Sequence, residues 1–403
     1  MTQDIFFTAH QNLIENELND ECYVMVVLPI CNEAGYLLLT LQSLARQVDL
    51  QNRPLDPNIY EIIVFANNCA DDSAEIARRW HEDNSFLNVH IAEAHLPAEN
   101  SNIGFVRRFL MNEAYLRLSR NQYKSGVILT TDGDTRVASD WIAANLREIK
   151  SGADAVGGRI TIDFEDLRKM DEKARRFYLL DTGYRLSAAE IEAHLDYLSH
   201  DYLPRHHQHF NGSFAVTTDA FRRAGGIPDV NFLEDVAFYH SLLRVDAKFR
   251  HSPFVRVKTS ARRDGRTDLG LSTQINEWTI MGENSDEYWV ESAMAIERRI
   301  KNRSDLRTLW RHGATADLTA ARLAGKLHVS KEFLEAELFN SQTFGSLHEK
   351  VQQEQMIKGE WASRYPLELI RKALSDLRSL AEKLRREKRA LAANQSFSQT
   401  SRR

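Results

Sequence analysis

In the first half of the chain, apolar residues fall in short unbroken runs, and the stretches between them repeat apolar residues at helical spacing. Tyr23-Val24-Met25-Val26-Val27-Leu28-Pro29, Glu61-Ile62-Ile63-Val64-Phe65-Ala66, Asn88-Val89-His90-Ile91-Ala92 and Val127-Ile128-Leu129-Thr130-Thr131 are the runs. Segments apolar toward both faces suit strands covered on both sides, as in a parallel sheet. Between them, Ala34 to Gln47 sets Leu37, Leu41 and Leu44 on one face. Asp71 to Trp80 predicts a second helix with Asp71 or Asp72 as its cap, and Gly104 to Leu118 a third. Strands alternating with helices predict right-handed βαβ units. Such sheets bind ligands beyond the carboxyl ends of their strands.

The pattern then changes. Trp141 to Lys150 predicts another helix, and Ala153 to Ile160 a strand that opens a second half. Residues 164–203 are charged and helical, an expected insertion, and 210–250 return to mixed strand and helix. From about Asp286 the chain is helical and highly charged. Leu367 to Ala393 carries Lys, Arg and Glu around a leucine stripe, the pattern of a solvated amphipathic helix packed on its neighbours. Peripheral membrane contact and a homodimer through this tail stay open. Ser396 to Arg403 is expected to be unstructured. The divisions expected are a helical lead-in at 1–21, an α/β domain at 22–285 and a helical region at 286–403.

Composition adds exclusions. With 403 residues there is room for one large domain and an appendage. A formal net charge of −5 disfavours a general nucleic-acid binder. Cys22, Cys31 and Cys69, an odd set without paired spacing, predict free thiols in a reducing compartment. No apolar run reaches the length of a membrane span, and Met1-Thr2-Gln3-Asp4 lacks the basic start of a signal peptide. A cytoplasmic protein is the expectation.

Asp132-Gly133-Asp134 is where chemistry first shows. Two carboxylates one residue apart at the open end of a buried strand require a nearby cation. A hard divalent ion such as Mg²⁺ or Mn²⁺ prefers oxygen ligands and would in turn hold phosphates. An ordinary Asp-Gly turn is the bland alternative. His194, His200, His206, His207 and His209 crowd one region, but their spacing matches no standard zinc site.

Six motifs stand in order: Val27-Leu28-Pro29-Ile30-Cys31-Asn32-Glu33; Asn67-Asn68-Cys69-Ala70-Asp71-Asp72-Ser73; Gly104-Phe105-Val106-Arg107-Arg108; Asp132-Gly133-Asp134; Phe210-Asn211-Gly212-Ser213-Phe214 with Phe221 to Pro228; and Glu234-Asp235. Together they resemble family 2 of the nucleotide-sugar glycosyltransferases. Each is weak alone, and six in sequence are specific. The resemblance covers about residues 22–265. It implies a GT-A type, Rossmann-like α/β fold: a mixed, mainly parallel sheet flanked by helices, followed by a C-terminal helical region.

The resemblance also implies roles. Asp132 and Asp134 would bind Mn²⁺ or Mg²⁺, with His251 the candidate third ligand and water the alternative. Pro29, Asn32, Glu33, Asn67, Asp71, Arg107, Asp132 and Arg262 would contact the sugar nucleotide, by default a uridine and alternatively a guanosine diphosphate sugar. The segment Val255 to Arg266 resembles a flexible basic loop over the donor diphosphate. Asp235 would take the proton from an acceptor hydroxyl, with Glu234 orienting the acceptor or the helix end. The outcome would be single displacement with inversion. Three alternatives stand beside it: a retaining transferase like the glucosyl-phosphoglycerate and mannosylglycerate synthases, a nucleotidyltransferase, and a degenerate member that only binds sugar nucleotide. The acceptor is not readable from the sequence.

Overall fold

The structure, a computed structural model, describes residues 13–14, 16–120, 125–230, 232–265, 269–284 and 286–400, with side chains to 390. Eight strands form one sheet: β1 (Val24–Ile30), β2 (Tyr60–Asn67), β3 (Val89–Ala94), β4 (Val127–Thr131), β5 (Thr135–Val137), β6 (Ala155–Ile162), β7 (Ser213–Thr217) and β8 (Phe249–Thr259). Their order is β3-β2-β1-β4-β7-β6-β8-β5. The pairs β2–β3, β1–β2, β1–β4 and β6–β8 are parallel, and β4–β7, β6–β7 and β5–β8 are antiparallel. The mixed α/β class expected from the sequence is the one observed. A further pair, β9 (Trp289–Val290) and β10 (Glu368–Leu369), stands apart.

The helices are α1 (Leu37–Ala45), α2 (Ser73–Asp83), α3 (Ile103–Ser119), α4 (Trp141–Lys150), α5 (Phe164–Lys169), α6 (Glu172–Leu195), α7 (Thr218–Ala224) and α8 (Glu234–Arg244), then α9 (Leu271–Asn284), α10 (Ala293–His312), α11 (Ala320–Leu327), α12 (Lys331–Asn340), α13 (Phe344–Lys358), α14 (Glu360–Arg364) and α15 (Ile370–Thr400). None of the described helices is long and apolar enough to cross a membrane.

The chain divides into two compact units. The first comprises residues 1–168 and 208–273, the second 169–207 and 274–403. In the first, β1 is buried along its whole length. Val24, Val26, Leu28 and Ile30 point to one face and pack with Leu37, Leu41, Trp80 and Trp141. Met25 and Val27 point to the other and pack with Val106, Leu110, Phe221 and Phe238. Strand alternation thus feeds two cores, one on each face of the sheet. In the second unit, α6, α10 and α15 share a core of Tyr184, Ile191, Ile296, Ile300, Ala373 and Leu377, and α10 to α13 share another around Leu306, Leu323, Leu334 and Leu347.

Three expectations need correction. Of the 1–21 lead-in, residues 1–12 and 15 lie outside the described residues, and the remainder is not helical. Ile14 is buried in the core, Asn16 O accepts from Arg117 Nη1 at 2.9 Å, and Asn19 N donates to Glu61 Oε1 at 2.9 Å. Those backbone groups serve the buried Arg117–Glu61 pair instead of a helical ladder. The segment from Val255 is not all loop, because β8 runs to Thr259. Val255 and Val257 point into the core while Arg256 and Lys258 face out, a period-two pattern that the charges disguise. Arg266 lies outside the described residues. The tail expected to be unstructured from Ser396 is helical as far as Thr400, and 401–403 lie outside the described residues.

Candidate active site

The Asp-Gly-Asp turn is fixed on both sides by strands. β4 ends at Thr131, and Thr135 begins β5, which pairs with Thr259 of β8. Thr40 Oγ1 donates to Gly133 O at 2.9 Å and anchors the turn on α1. Two glycines make room. A Cβ at Gly133 would lie 2.8 Å from Glu33 Cγ, and one at Gly212 would lie 2.9 Å from Asp132 Oδ2. Any side chain at these positions would displace a carboxylate-bearing residue.

One arginine holds each half of the turn. Arg107, on α3 and 3% exposed, donates from Nη2 to Asp132 Oδ1 at 2.6 Å. It also donates from Nη1 to Thr130 Oγ1, and its Nε lies 3.5 Å from Glu234 Oε1. Asn211 Nδ2 lies 3.3 Å from the same Glu234 oxygen. Arg262, on the loop after β8, forks onto Glu33, with Nη2 donating to Oε1 at 2.6 Å and Nη1 to Oε2. Its Nε lies 3.3 Å from Asp134 Oδ2, an oxygen that also accepts from Ser260 Oγ at 2.6 Å. The guanidinium sits 5.7 Å from the Tyr36 ring centre.

Among the described residues and these contacts, five carboxylates meet two guanidiniums: Glu33, Asp132, Asp134, Glu234 and Asp235 against Arg107 and Arg262. The imbalance appears in the acidities. Burial pushes the Asp134 carboxyl up, Arg262 pulls it back, and Asp132 pushes it up again. Asp235 goes further, to about 6. Burial is the main cause and the Glu234 charge the next, against the Val236 amide and Arg107, which favour the carboxylate. Asp235 Oδ1 accepts from Val236 N at 2.8 Å at the start of α8. Leu233, the residue before that helix, is left-handed at φ 55°. A carboxylate with a proton affinity near neutral pH is what general-base work requires.

The nucleotide-side candidates divide into two groups. Asn32 takes a left-handed conformation at φ 55°, and its Oδ1 accepts from Ala70 N at 2.7 Å. Asp71 accepts from Ala34 N at 3.0 Å and from Ser73 Oγ at 2.5 Å, and Ser73 Oγ accepts from Glu33 N at 2.7 Å. Asn32 and Asp71 thus stitch the loop after β1 to the loop after β2. Asn67, at the end of β2, is 4% exposed. Its Nδ2 donates to Ser101 O at 2.9 Å, while its buried Oδ1 has no hydrogen-bond partner among the described residues. Pro29 is buried within β1 opposite Phe65, so its ring is core.

Glu33, Arg107, Asp132, Asp134, Glu234, Asp235 and Arg262 come together; Asn32, Asn67 and Asp71 frame the adjoining loops. His251 lies on β8, its ring 4.7 Å from Phe249 and 5.9 Å from Tyr239. Among the described residues, no group of three or more His, Cys, Asp or Glu side chains is poised to hold a metal ion, and the five-histidine stretch is no exception. Thr130 and Ser260 hold the site and have no role in the sequence reading, whereas Asn211 falls within the Phe210–Phe214 motif of the resemblance. Thr130 was findable, since two residues before Asp132 places it on the same side of an extended chain.

Residues 25–203 match the sequence model of Glycosyl transferase family 2. No curated protein matches the chain. Among solved structures, a mannosyltransferase from Pyrobaculum calidifontis in complex with GDP-Man and Mn²⁺ is similar at 15% identity and a TM-score of 0.40, over 84% of this chain and 87% of that one. TarS 1–349 of S. aureus in complex with UDP gives 12% identity and a TM-score of 0.41 over 90% and 91% of the two chains. Glucosyl-3-phosphoglycerate synthase from Mycobacterium tuberculosis, with Mn²⁺, UDP-glucose and phosphoglyceric acid, gives 14% and 0.34 over 68% and 86%. Residues 25–203, which carry the Asp-Gly-Asp turn, thus form a region that matches glycosyl transferase family 2, and the protein is a glycosyltransferase enzyme.

Proposed function

We propose that this glycosyltransferase moves a sugar from a nucleoside diphosphate sugar to an acceptor hydroxyl by inverting displacement, with Asp235 as base and a divalent cation at Asp132 and Asp134. The observation that carries the reading is Asp235, pushed up to about 6 beside carboxylates that, among the described residues, outnumber the guanidiniums five to two. A hydroxyl nucleophile needs a base poised near neutral pH. A structural carboxylate gains nothing from such a shift.

The donor set fits a hard divalent ion. Two carboxylates one residue apart supply oxygen ligands, and Asp132 keeps 42% of its side chain exposed. Phosphate oxygens and water would complete the shell, as Mg²⁺ and Mn²⁺ accept. A bound cation would stabilise the negative charge that develops on the leaving diphosphate. The chain's own residues do the rest. Arg107 fixes Asp132 and Glu234 with one buried guanidinium. Glu234 sets the start of α8, so that Asp235 faces the acceptor. Arg262, on a loop, exchanges Glu33 for the donor diphosphate. Asn67 offers its buried carbonyl to a base or ribose donor, and a uridine or guanosine nucleotide suits it equally.

Titration calorimetry with uridine and guanosine diphosphates, with Mn²⁺ or Mg²⁺ and then with EDTA, tests this reading. Binding should need the cation, and Asp134→Ala should lose it. Equal affinity in EDTA, or in Asp134→Ala, would remove the cation from the mechanism.

A further inference from the structure

The second unit carries a groove that uses none of the residues of the acidic site. It runs along the seam of α6 and α15 and holds about 530 Å³. Arg378, Arg385, Arg386 and Arg389 of α15 rim it, with Glu382 and Glu190 among them. The floor is small. Ser187 of α6 and Ala381 of α15 line it, and Gly183 lies one turn before Ser187. Arg378 Nη2 is 3.5 Å from where a Cβ on Gly183 would be, so its guanidinium reaches back over α6.

Charge in the groove is not balanced. Arg385 forks onto Glu190, with Nη2 donating at 2.6 Å, and Arg386 donates to Glu382. Arg378 and Arg389 have no carboxylate partner among the described residues. Four guanidiniums stand against two carboxylates, in a chain whose net charge is −5. Arg378, Arg385 and Arg389 recur at spacings of seven and four, which sets them on one helical face. The apolar face of α15 is used up, with Ile370, Ala373, Leu377 and Ala381 buried within the unit. Insertion into a bilayer is therefore not what this helix offers. Planar guanidiniums pair with oxyanions, phosphate among them, and Arg378 and Arg389, eleven residues and about 16 Å apart along the helix, offer an unpaired cation at each end of the groove.

We propose that this groove binds phosphate-bearing anions, held at Arg378 at one end and at Arg389 at the other. The inference does not depend on the reaction assigned to the acidic site. Two sources share the chemistry, a free phosphate compound and a phospholipid headgroup.

Calorimetry of the full chain with inorganic pyrophosphate, in EDTA and at two salt concentrations, tests it. Wild type and Asp134→Ala should bind alike, and more weakly as salt rises. The double variant Arg378→Glu, Arg389→Glu should bind at least tenfold more weakly. Both side chains are exposed, so thermal unfolding should be unchanged; the milder Arg378→Gln, Arg389→Gln pair replaces the reversal if it is not. Sedimentation with phosphatidylglycerol vesicles, against phosphatidylcholine vesicles, separates the sources. Vesicle binding lost in the double variant assigns a headgroup; pyrophosphate binding without vesicle binding assigns a free phosphate. Wild type that binds neither probe, or binding that survives both double variants, overturns the proposal.

Discussion

Arg107 and Arg262 carry the same charge to the same turn, yet they are built differently. Arg107 projects from the second turn of α3, is 3% exposed, and bridges Asp132 to Glu234. Arg262 stands on a loop, is 18% exposed, and bridges Glu33 to Asp134. A buried guanidinium on a helix cannot leave its carboxylates without exposing them unpaired. One on a loop can move to exchange a carboxylate for a phosphate, although Glu33, 6% exposed, then loses its fork. On the proposed mechanism, the Arg107 side fixes the base, Asp235, relative to the turn, and the Arg262 side is the part that responds to a donor. Substitutions on the first side should then act on kcat, and on the second side on donor KM.

The largest effect should come from Asp235→Asn. Transfer should fall by about 10²–10⁴-fold while nucleotide binding stays near wild type. Wild-type kcat should also drop as pH falls through about 6, where the carboxylate takes a proton. Stability runs the opposite way. A carboxyl whose folded-state acidity is weakened favours the protonated native state, so its contribution is full below the ordinary carboxylate range and is lost as pH rises through about 6. At pH 8 Asp235→Asn should be more stable than wild type, by at most roughly 3 kcal/mol, and the difference should vanish near pH 4. Thermal melts across that range check the sign. Unchanged turnover in Asp235→Asn would move the base elsewhere and break the division between the two sides.

Arg107→Leu comes next. It leaves Glu234 buried without its cation, and losing one partner of a buried pair costs about 3 kcal/mol or more. Chemical denaturation should show that loss. Arg107 also favours the Asp235 carboxylate, so in this variant the acid limb of the kcat profile should move to higher pH. A stable variant with an unshifted profile would mean that Arg107 does not link Asp132 to the base.

The sequence made the two sides legible to different degrees, for a physical reason. Buried parallel strands announce themselves as apolar runs, so β1, β2, β3 and β4 were readable, and with them the strand ends that carry Glu33, Asn67 and Asp132. β5 was not, because Thr135-Arg136-Val137 has no apolar run and is a strand only through its pairing with β8. The fork from Arg262 to Glu33 spans 229 positions, and no local pattern encodes such a distance. Asp134 and Asp235 could be named as acids from spacing and resemblance. Their raised proton affinities depend on burial and on neighbours that only the fold brings together. Asn32 and Asp71 show the converse. Their residue types suggested ligand contacts, and in the fold they spend their oxygens on backbone amides of the facing loop.

The smallest effect on transfer, and the sharpest test of the comparison, should come from Arg262→Ala. Glu33, 6% exposed, loses its fork, so the stability cost should be about 3 kcal/mol, as for Arg107→Leu. Donor KM should rise roughly tenfold, the cost of about one charge-assisted contact to the diphosphate, with kcat nearly unchanged. Arg262→Lys keeps the charge without the fork and should recover only part of the loss. The cation responds in the other direction. Arg262 neutralises Asp134 in the absence of donor, so its removal should tighten Mn²⁺ binding to the nucleotide-free chain, measured by the paramagnetic broadening of bound Mn²⁺. If Arg262→Ala instead lowered kcat and left donor KM alone, Arg262 would belong with Arg107 as a fixed part of the site.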